Sequence, residues 1–417
     1  MIDATVSYAE HLRKRADELA TKCIHAGESL GEDRALDIPI VLASAFAFES
    51  AEQAAGAFKG DEDAWIYGRW GNPTVEALER KLAALENAEA ACATASGMAA
   101  ISGTILSLCE AGDHIVAPRS MYAESARLLR DRLPKLGITT TFVDNSASAY
   151  AAACTEKTRI LYVETPSNPT LGVIDISTVG ILAGLRGSAS GRRPLVVVDS
   201  TFATPFAQTP LAQGADLVVH SLTKGIGGHG DAIGGAVCGS KANVERARDT
   251  IVKGFGGVLS PFSAWTLARS LRTFAIRQER ANATAAALAE YLADHPRVGY
   301  VHHPSLRGHK GHELATKQMH AYGTLLSFEL ADTLVSQGEG EVIEHGRMVL
   351  ERLRVATHAV SLGDARTLVV HPASTTHSTM PVVDRRRANI SDGLLRVSCG
   401  LESVADLIAD FDNALAY

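Results

Sequence analysis

The sequence predicts an α/β chain with a mostly parallel sheet covered by helices on both faces, followed by a smaller α+β C-terminal domain. Two observations carry this. Five short apolar runs, "HIVAP" (114–118), "TTTFVD" (139–144), "RILYVET" (159–165), "PLVVVDS" (194–200) and "ADLVVHS" (215–221), alternate with helical text, the pattern of strands buried on both faces. After Pro261 the text becomes largely helical and then mixes strands with helices, which suits a second, smaller unit. A chain of 417 residues is also too long for one ordinary core. The boundaries fall near 60 and 260, giving an N-terminal arm (1–60), a large domain (61–260), and a linking helix with a small domain (261–417).

The elements follow in order. "MIDATVSYAEHLRKRADELATK" is charged and helix-like and lacks the apolar core of a signal peptide. An irregular arm, "DIPIVLASAFAFESAEQAAGAF", comes next. "TVEALERKLAALENAEA" spaces Val75, Leu78, Leu82 and Leu85 as one helical face. "AACATAS" runs into Ser96-Gly97-Met98-Ala99-Ala100, which opens a helix through Leu108. "LAGLRGSASGRRP" (182–194) reads as a helix end with a flexible polar loop. "FSAWTLARSLRTFAIRQERANATAAALAEYLADHP" is one long helix or a kinked pair. Beyond Pro304, "GTLLSFEL" is a strand, "EVIEHGRMVLERL" a helix, "TLVVHP" and "LLRVSCG" strands, and a helix closes the chain.

The composition excludes several classes. A net charge of −7 argues against nucleic acid, which asks for a basic face. No apolar run approaches the roughly 20 residues of a membrane span. The six cysteines are scattered with no CxxC pair, so they read as core residues in a reducing compartment, hence the cytoplasm. No ligand spacing supports a metal site.

Two strand ends carry chemistry. "VVVDS" ends in Asp199, and "LVVHSLTKGIGGHGD" puts Ser221, Thr223 and Lys224 just past the next strand. Ligands gather at such carboxyl ends. A lone lysine there is ordinarily a surface residue. Here Gly225, Gly227, Gly228 and Gly230 leave room for a flat ring, and Asp199 supplies a carboxylate for a ring nitrogen. That pairing suits a Schiff-base lysine whose cofactor is an electron sink.

The stretch "VVVDSTFATPFAQTPLAQGADLVVHSLTKGIGGHGD" resembles the pyridoxal-phosphate segment of the Cys/Met-metabolism enzyme family. That family includes cystathionine γ-synthase, cystathionine lyases, methionine γ-lyase and the O-acylhomoserine sulfhydrylases. The resemblance runs from "TKCIHAG" (21–27) to "LLRVSCGLE" (394–402). It implies an aspartate-aminotransferase-like large domain (fold type I), with pyridoxal 5′-phosphate (PLP) held on Lys224. It also implies phosphate contacts from Ser221, Thr223 and the "SGMAA" residues Ser96, Gly97 and Met98, where a helix start offers N–H groups to an anion. Tyr67 and Arg69 of "WIYGRWGNPT" would reach the phosphate of a neighbouring subunit, which implies a homotetramer built of two active dimers. Tyr122 would stack on the ring and protonate the γ leaving group. Asn168 would meet the ring 3-hydroxyl, and Ser361 and Arg396 the carboxylate of a small sulfur amino acid. His371 and His377 read as structural.

The chain also departs from the family's wording. Ala123 and Glu124 follow Tyr122, where methionine γ-lyases have glycine and cysteine and the sulfhydrylases glycines. Lys253 stands near a lyase active-site lysine without the acidic residue that usually follows it. "GGHGDAIGG" looks like sulfhydrylase text, and "AVSLGDARTLVVHPAS" like methionine γ-lyase. The resemblance implies α,γ-elimination from methionine or a related γ-thio amino acid. γ-Replacement on an O-acylhomoserine, or cystathionine synthesis, is the alternative.

Overall fold

The computed structural model describes residues 1–2, 5–28, 34–331, 339–378 and 380–416. The five apolar runs all become strands: His114–Pro118 (β2), Thr139–Val143 (β3), Thr158–Glu164 (β4), Leu195–Asp199 (β5) and Leu217–Ser221 (β6). Two further strands, Ala90–Thr94 (β1) and Gly235–Gly239 (β7), complete a seven-stranded sheet in the order β1-β7-β6-β5-β4-β2-β3. β7 alone runs against its neighbours; the other pairings are parallel. The sequence reading missed β1 and β7 because their residues, "AACAT" and "GAVCG", are too small to show apolar alternation. Their size has a packing reason. A Cβ on Gly235 would lie 2.2 Å from the Ser96 carbonyl oxygen, so only glycine lets the strand pass there.

Helices cover both faces. Ile101 and Ile105 of helix Gly97–Leu108 pack on Val197, Leu217 and Val219. Val179 and Ala183 of helix Ile176–Ser190 pack on Leu161, Val163, Val196 and Val198. That second helix continues through the stretch read as a polar loop and stops at Gly191, whose φ of 71° is left-handed. The long helical text is a kinked pair, Pro261–Leu271 and Phe274–Ala293. Phe274 is buried with Leu271 and Leu222, whereas Leu288 and Leu292 are buried with the second sheet, so this helix joins the two cores. Helix Tyr8–His25 buries Leu12, Leu19 and Cys23 in the first of them.

The second sheet contains Val298–His302 (β8), Leu325–Leu330 (β9), Thr357–His358 (β10), Leu368–Val370 (β11) and Leu394–Ser398 (β12), ordered β10-β11-β12-β9-β8. Only β10 and β11 pair in parallel. No helix among the described residues is long and apolar enough to cross a membrane.

Candidate active site

Parallel strands bring their carboxyl ends to one edge. β4 and β5 end in register, Glu164 opposite Asp199, and β6 ends beside them at Ser221. Three residues later Lys224 turns its amine to the Ser361 hydroxyl, with Nζ donating to Oγ at 2.8 Å. Burial, and then the nearby Arg396 cation, push this amine down to about 8. Ser361 has a φ of 105°, in the region that favours glycine. A serine held there costs about 1–3 kcal/mol and marks a position its surroundings enforce.

Arg396, on β12, spans the gap between the two sheets. Its Nη1 donates to Asn168 Oδ1 at 2.9 Å and its Nη2 to the Ser361 carbonyl oxygen at 3.0 Å. Its buried Nε has no partner. Burial pushes the guanidinium down to about 10. An arginine anchored at two points with a free donor suits an incoming carboxylate. Asn168 is buried, and its N–H donates to Glu164 Oε1 at 2.9 Å. The other carboxylate oxygen, Glu164 Oε2, accepts the N–H of Tyr122 at 2.8 Å. Lys224, Ser361, Arg396, Asn168, Glu164 and Tyr122 therefore form one unbroken hydrogen-bonded chain.

Asp199 lies beside this chain, 5% exposed. Its Oδ1 accepts the Thr201 N–H at 3.0 Å and its Oδ2 the Tyr162 hydroxyl at 3.3 Å. Burial raises its pKa. Glu164 is raised well above the usual carboxylate range, first by burial and then by Asp199. Two neighbouring buried carboxylates resist carrying two charges, so a cation at this edge is favoured. The Tyr122 phenol is raised by burial and then by Glu124 and Glu164, which keeps it protonated at neutral pH.

The anion-binding end lies at the start of helix Gly97–Leu108. Ser96 caps it, Oγ accepting the Ala99 N–H at 3.1 Å, and the first-turn N–H groups have no helical acceptor. Gly97 abuts β6; a Cβ there would lie 2.7 Å from Ser221 Cβ. Met98 follows in the same turn. Thr223 is engaged otherwise. Its Oγ1 donates to the Gly234 carbonyl oxygen at 3.3 Å and accepts the Gly234 N–H at 3.1 Å, so it closes its own loop.

Tyr67 and Arg69 are not hydrogen-bonded to any of these groups. Arg69 donates to the Lys253 carbonyl oxygen, and its guanidinium lies 5.5 Å from the centre of the exposed Tyr67 ring. Lys253 itself pairs with Asp249 at 2.7 Å, and Glu124 lies 3.7 Å from Arg127, both near the surface. His371 is buried, its ring nitrogens bonded to Ser374 Oγ and the Asp392 carbonyl oxygen.

Sequence reasoning missed two supporting residues. Glu164 falls near the end of the predicted strand "RILYVET" and has no role in the sequence reading; the signal was an acid ending the strand next to the one that ends in Asp199. Arg277 is 8% exposed, and it donates to the carbonyl oxygens of Gly225 and Ile226 at 3.1 Å each. It thereby fixes the loop leaving Lys224. Its signal was a cation in the otherwise apolar "TFAIR".

The donor set fits PLP on chemical grounds. It combines a desolvated amine, a buried carboxylate and a helix start. The glycines after Lys224, read in the sequence as room for a ring, instead make room for protein, Gly228 for Arg277 and Gly230 for Asp364. Residues 20–416 match the family described as Cys/Met metabolism PLP-dependent enzyme. The chain is 43% identical over 399 residues to an L-methionine gamma-lyase of Fusobacterium nucleatum subsp. polymorphum, covering 95% of this chain and 98% of that protein. It is 39% identical over 376 residues to an O-succinylhomoserine sulfhydrylase of Mycobacterium tuberculosis, covering 90% of each. The structure of metY from Campylobacter jejuni, which carries N'-pyridoxyl-lysine-5'-monophosphate, superposes with a TM-score of 0.88 at 28% identity, over 95% of this chain and 99% of that one.

Proposed function

Because the chain belongs to the Cys/Met metabolism family of PLP-dependent enzymes, we propose that it is a carbon–sulfur lyase. It eliminates the γ-sulfur substituent of methionine or a related amino acid as a thiol, and water then releases 2-oxobutanoate and ammonia. The observation that carries this reading is the hydrogen-bonded chain joining Lys224, Ser361, Arg396, Asn168, Glu164 and Tyr122. It sets a base, a carboxylate receptor and a protonated phenol around one strand edge.

Lys224 would hold the cofactor, with Asp199 at the ring nitrogen and Ser96, Gly97, Met98 and Ser221 at the phosphate. Bound there, PLP supplies an electron sink for negative charge at the substrate Cα. Arg396 binds the substrate carboxylate through its free Nε and so orients Cα toward Lys224. An amine titrating near 8 is in part unprotonated at neutral pH. It can therefore take the Cα proton and carry protons onward to and from Cβ. Tyr122, kept neutral by its surroundings, donates its proton to the departing γ-sulfur.

Tyr67 and Arg69 complete the site from a second copy of the chain, in a homotetramer of two active dimers. Exposed apolar residues on the arm (Leu42, Phe58), at the turn of Phe255 and at the start of helix Pro261–Leu271 (Phe262) support a covering partner. Six free cysteines agree with work in the cytoplasm.

The test is product analysis. Holoenzyme supplied with methionine and no added thiol should form 2-oxobutanoate and a thiol. If thioether forms from an O-acylhomoserine and sulfide or a thiol while methionine is untouched, the reading fails. γ-Replacement, the reaction named for the Mycobacterium relative, then takes its place.

A further inference from the structure

We propose that Glu164 is a positioning residue whose carboxylate fixes the two cofactor-facing residues Tyr122 and Asn168 at once. It rests on the PLP-binding site described above and adds a residue that touches neither ring nor substrate.

The geometry is specific. Glu164 ends β4 and is 4% exposed. Its two oxygens are divided between two separate loops, Oε2 taking the Tyr122 N–H at 2.8 Å and Oε1 the Asn168 N–H at 2.9 Å. Tyr122 leads into helix Ala123–Arg127 with no side-chain cap of its own. Its main chain is therefore held at this point by Glu164. Asn168 in turn carries Arg396 on its Oδ1. One carboxylate thus sets the phenol, the carboxamide and, through it, the guanidinium. Only a carboxylate does this. Both N–H groups are donors, and a side-chain amide offers one acceptor oxygen and one more donor. Burial and the neighbouring Asp199 favour the neutral acid, while the two main-chain N–H groups aimed at its two oxygens pull the other way, toward the carboxylate that accepts at both.

The substitution Glu164→Gln keeps length and shape but turns one anchor into two opposed donors. Holoenzyme of this variant should show a weakened or inverted circular-dichroism band of the bound cofactor, because the ring's contact with Tyr122 changes. Its dissociation constant for PLP should rise about tenfold, the effect of leaving one buried donor unmet. kcat for methionine should fall by more than KM rises. A purely structural role would lower the melting temperature and leave the cofactor band and PLP affinity at wild-type values; that result overturns the proposal. If the variant does not fold, amide hydrogen exchange on the wild-type holoenzyme decides. The Tyr122 and Asn168 N–H groups should exchange slowly, and fast exchange at either one overturns it. None of these spectral, binding or exchange readouts needs turnover, so they stand apart from whether methionine is the substrate.

Discussion

Lys224 acquires its reactivity from what it lacks. Its amine meets a neutral hydroxyl on Ser361 instead of a carboxylate, and the closest charge pressing on it is the Arg396 cation. Both conditions favour the uncharged amine. The sign follows directly. Below about 8 the amine holds its proton and is no nucleophile; above it the lone pair is free. Enzyme stripped of PLP should therefore take it up again at a rate that rises with pH and levels off just above 8. A rise continuing toward 10.5, the ordinary lysine value, would mean an amine open to water. Lys224 and Asp199 were legible in sequence because ionisable residues at the ends of apolar strand runs are conspicuous. Arg396 came only from the family resemblance, since a strand arginine near the C-terminus reads by itself as a surface residue. Glu164 was not legible, since the proline-rich text after it reads as a turn and its bonds go to the main chain of residues far along the chain. The reach of Arg277 back to Gly225 and Ile226, across about 50 residues, was equally invisible.

Elements made of large apolar residues could be read, and those made of small ones could not. β2, β4, β5 and β6 are buried, largely apolar runs and declared themselves, whereas β3, at the sheet's edge, is threonine-rich with only Val143 buried and was read from its β-branched residues. β1 and β7 carry little side chain; at Gly235 of β7 the Ser96 carbonyl oxygen leaves no room for one, and the helix start also presses on β6, Gly97 against Ser221. This close approach makes Gly97 a sensitive position. Gly97→Ala would improve helix propensity by at most about 1 kcal/mol. It would also set a Cβ 2.7 Å from Ser221 Cβ and 3.0 Å from Ser221 Cα. The second contact is with main chain and cannot swing aside, and overpacking of this kind costs about 1–3 kcal/mol. The clash wins. The variant should melt lower than wild type, and its affinity for PLP should drop as the helix start moves off the strand. A variant as stable as wild type with unchanged PLP affinity would show that the helix start has slack.

For the whole molecule, the segment just after the arm, which carries Tyr67 and Arg69, points to a second copy of the chain. Tyr67 is exposed and Arg69 is tied to the Lys253 carbonyl oxygen, while the Lys224 network closes without either. If both serve a neighbouring subunit's phosphate, two defects in different chains should complement. Lys224→Ala removes the amine and leaves Arg69 intact; Arg69→Ala does the reverse. Unfolded together and refolded, the two variants would pair at random, and each mixed dimer would hold one complete site, Lys224 from one copy with Arg69 from the other. Half the dimers are mixed and half their sites are whole, so the mixture should recover about a quarter of wild-type activity, as a two-fold interface with shared sites requires. Each variant alone should remain near background. A mixture no more active than the better single variant would place Arg69 in its own subunit's site or outside any site, and the dependence of activity on pairing would fall with it.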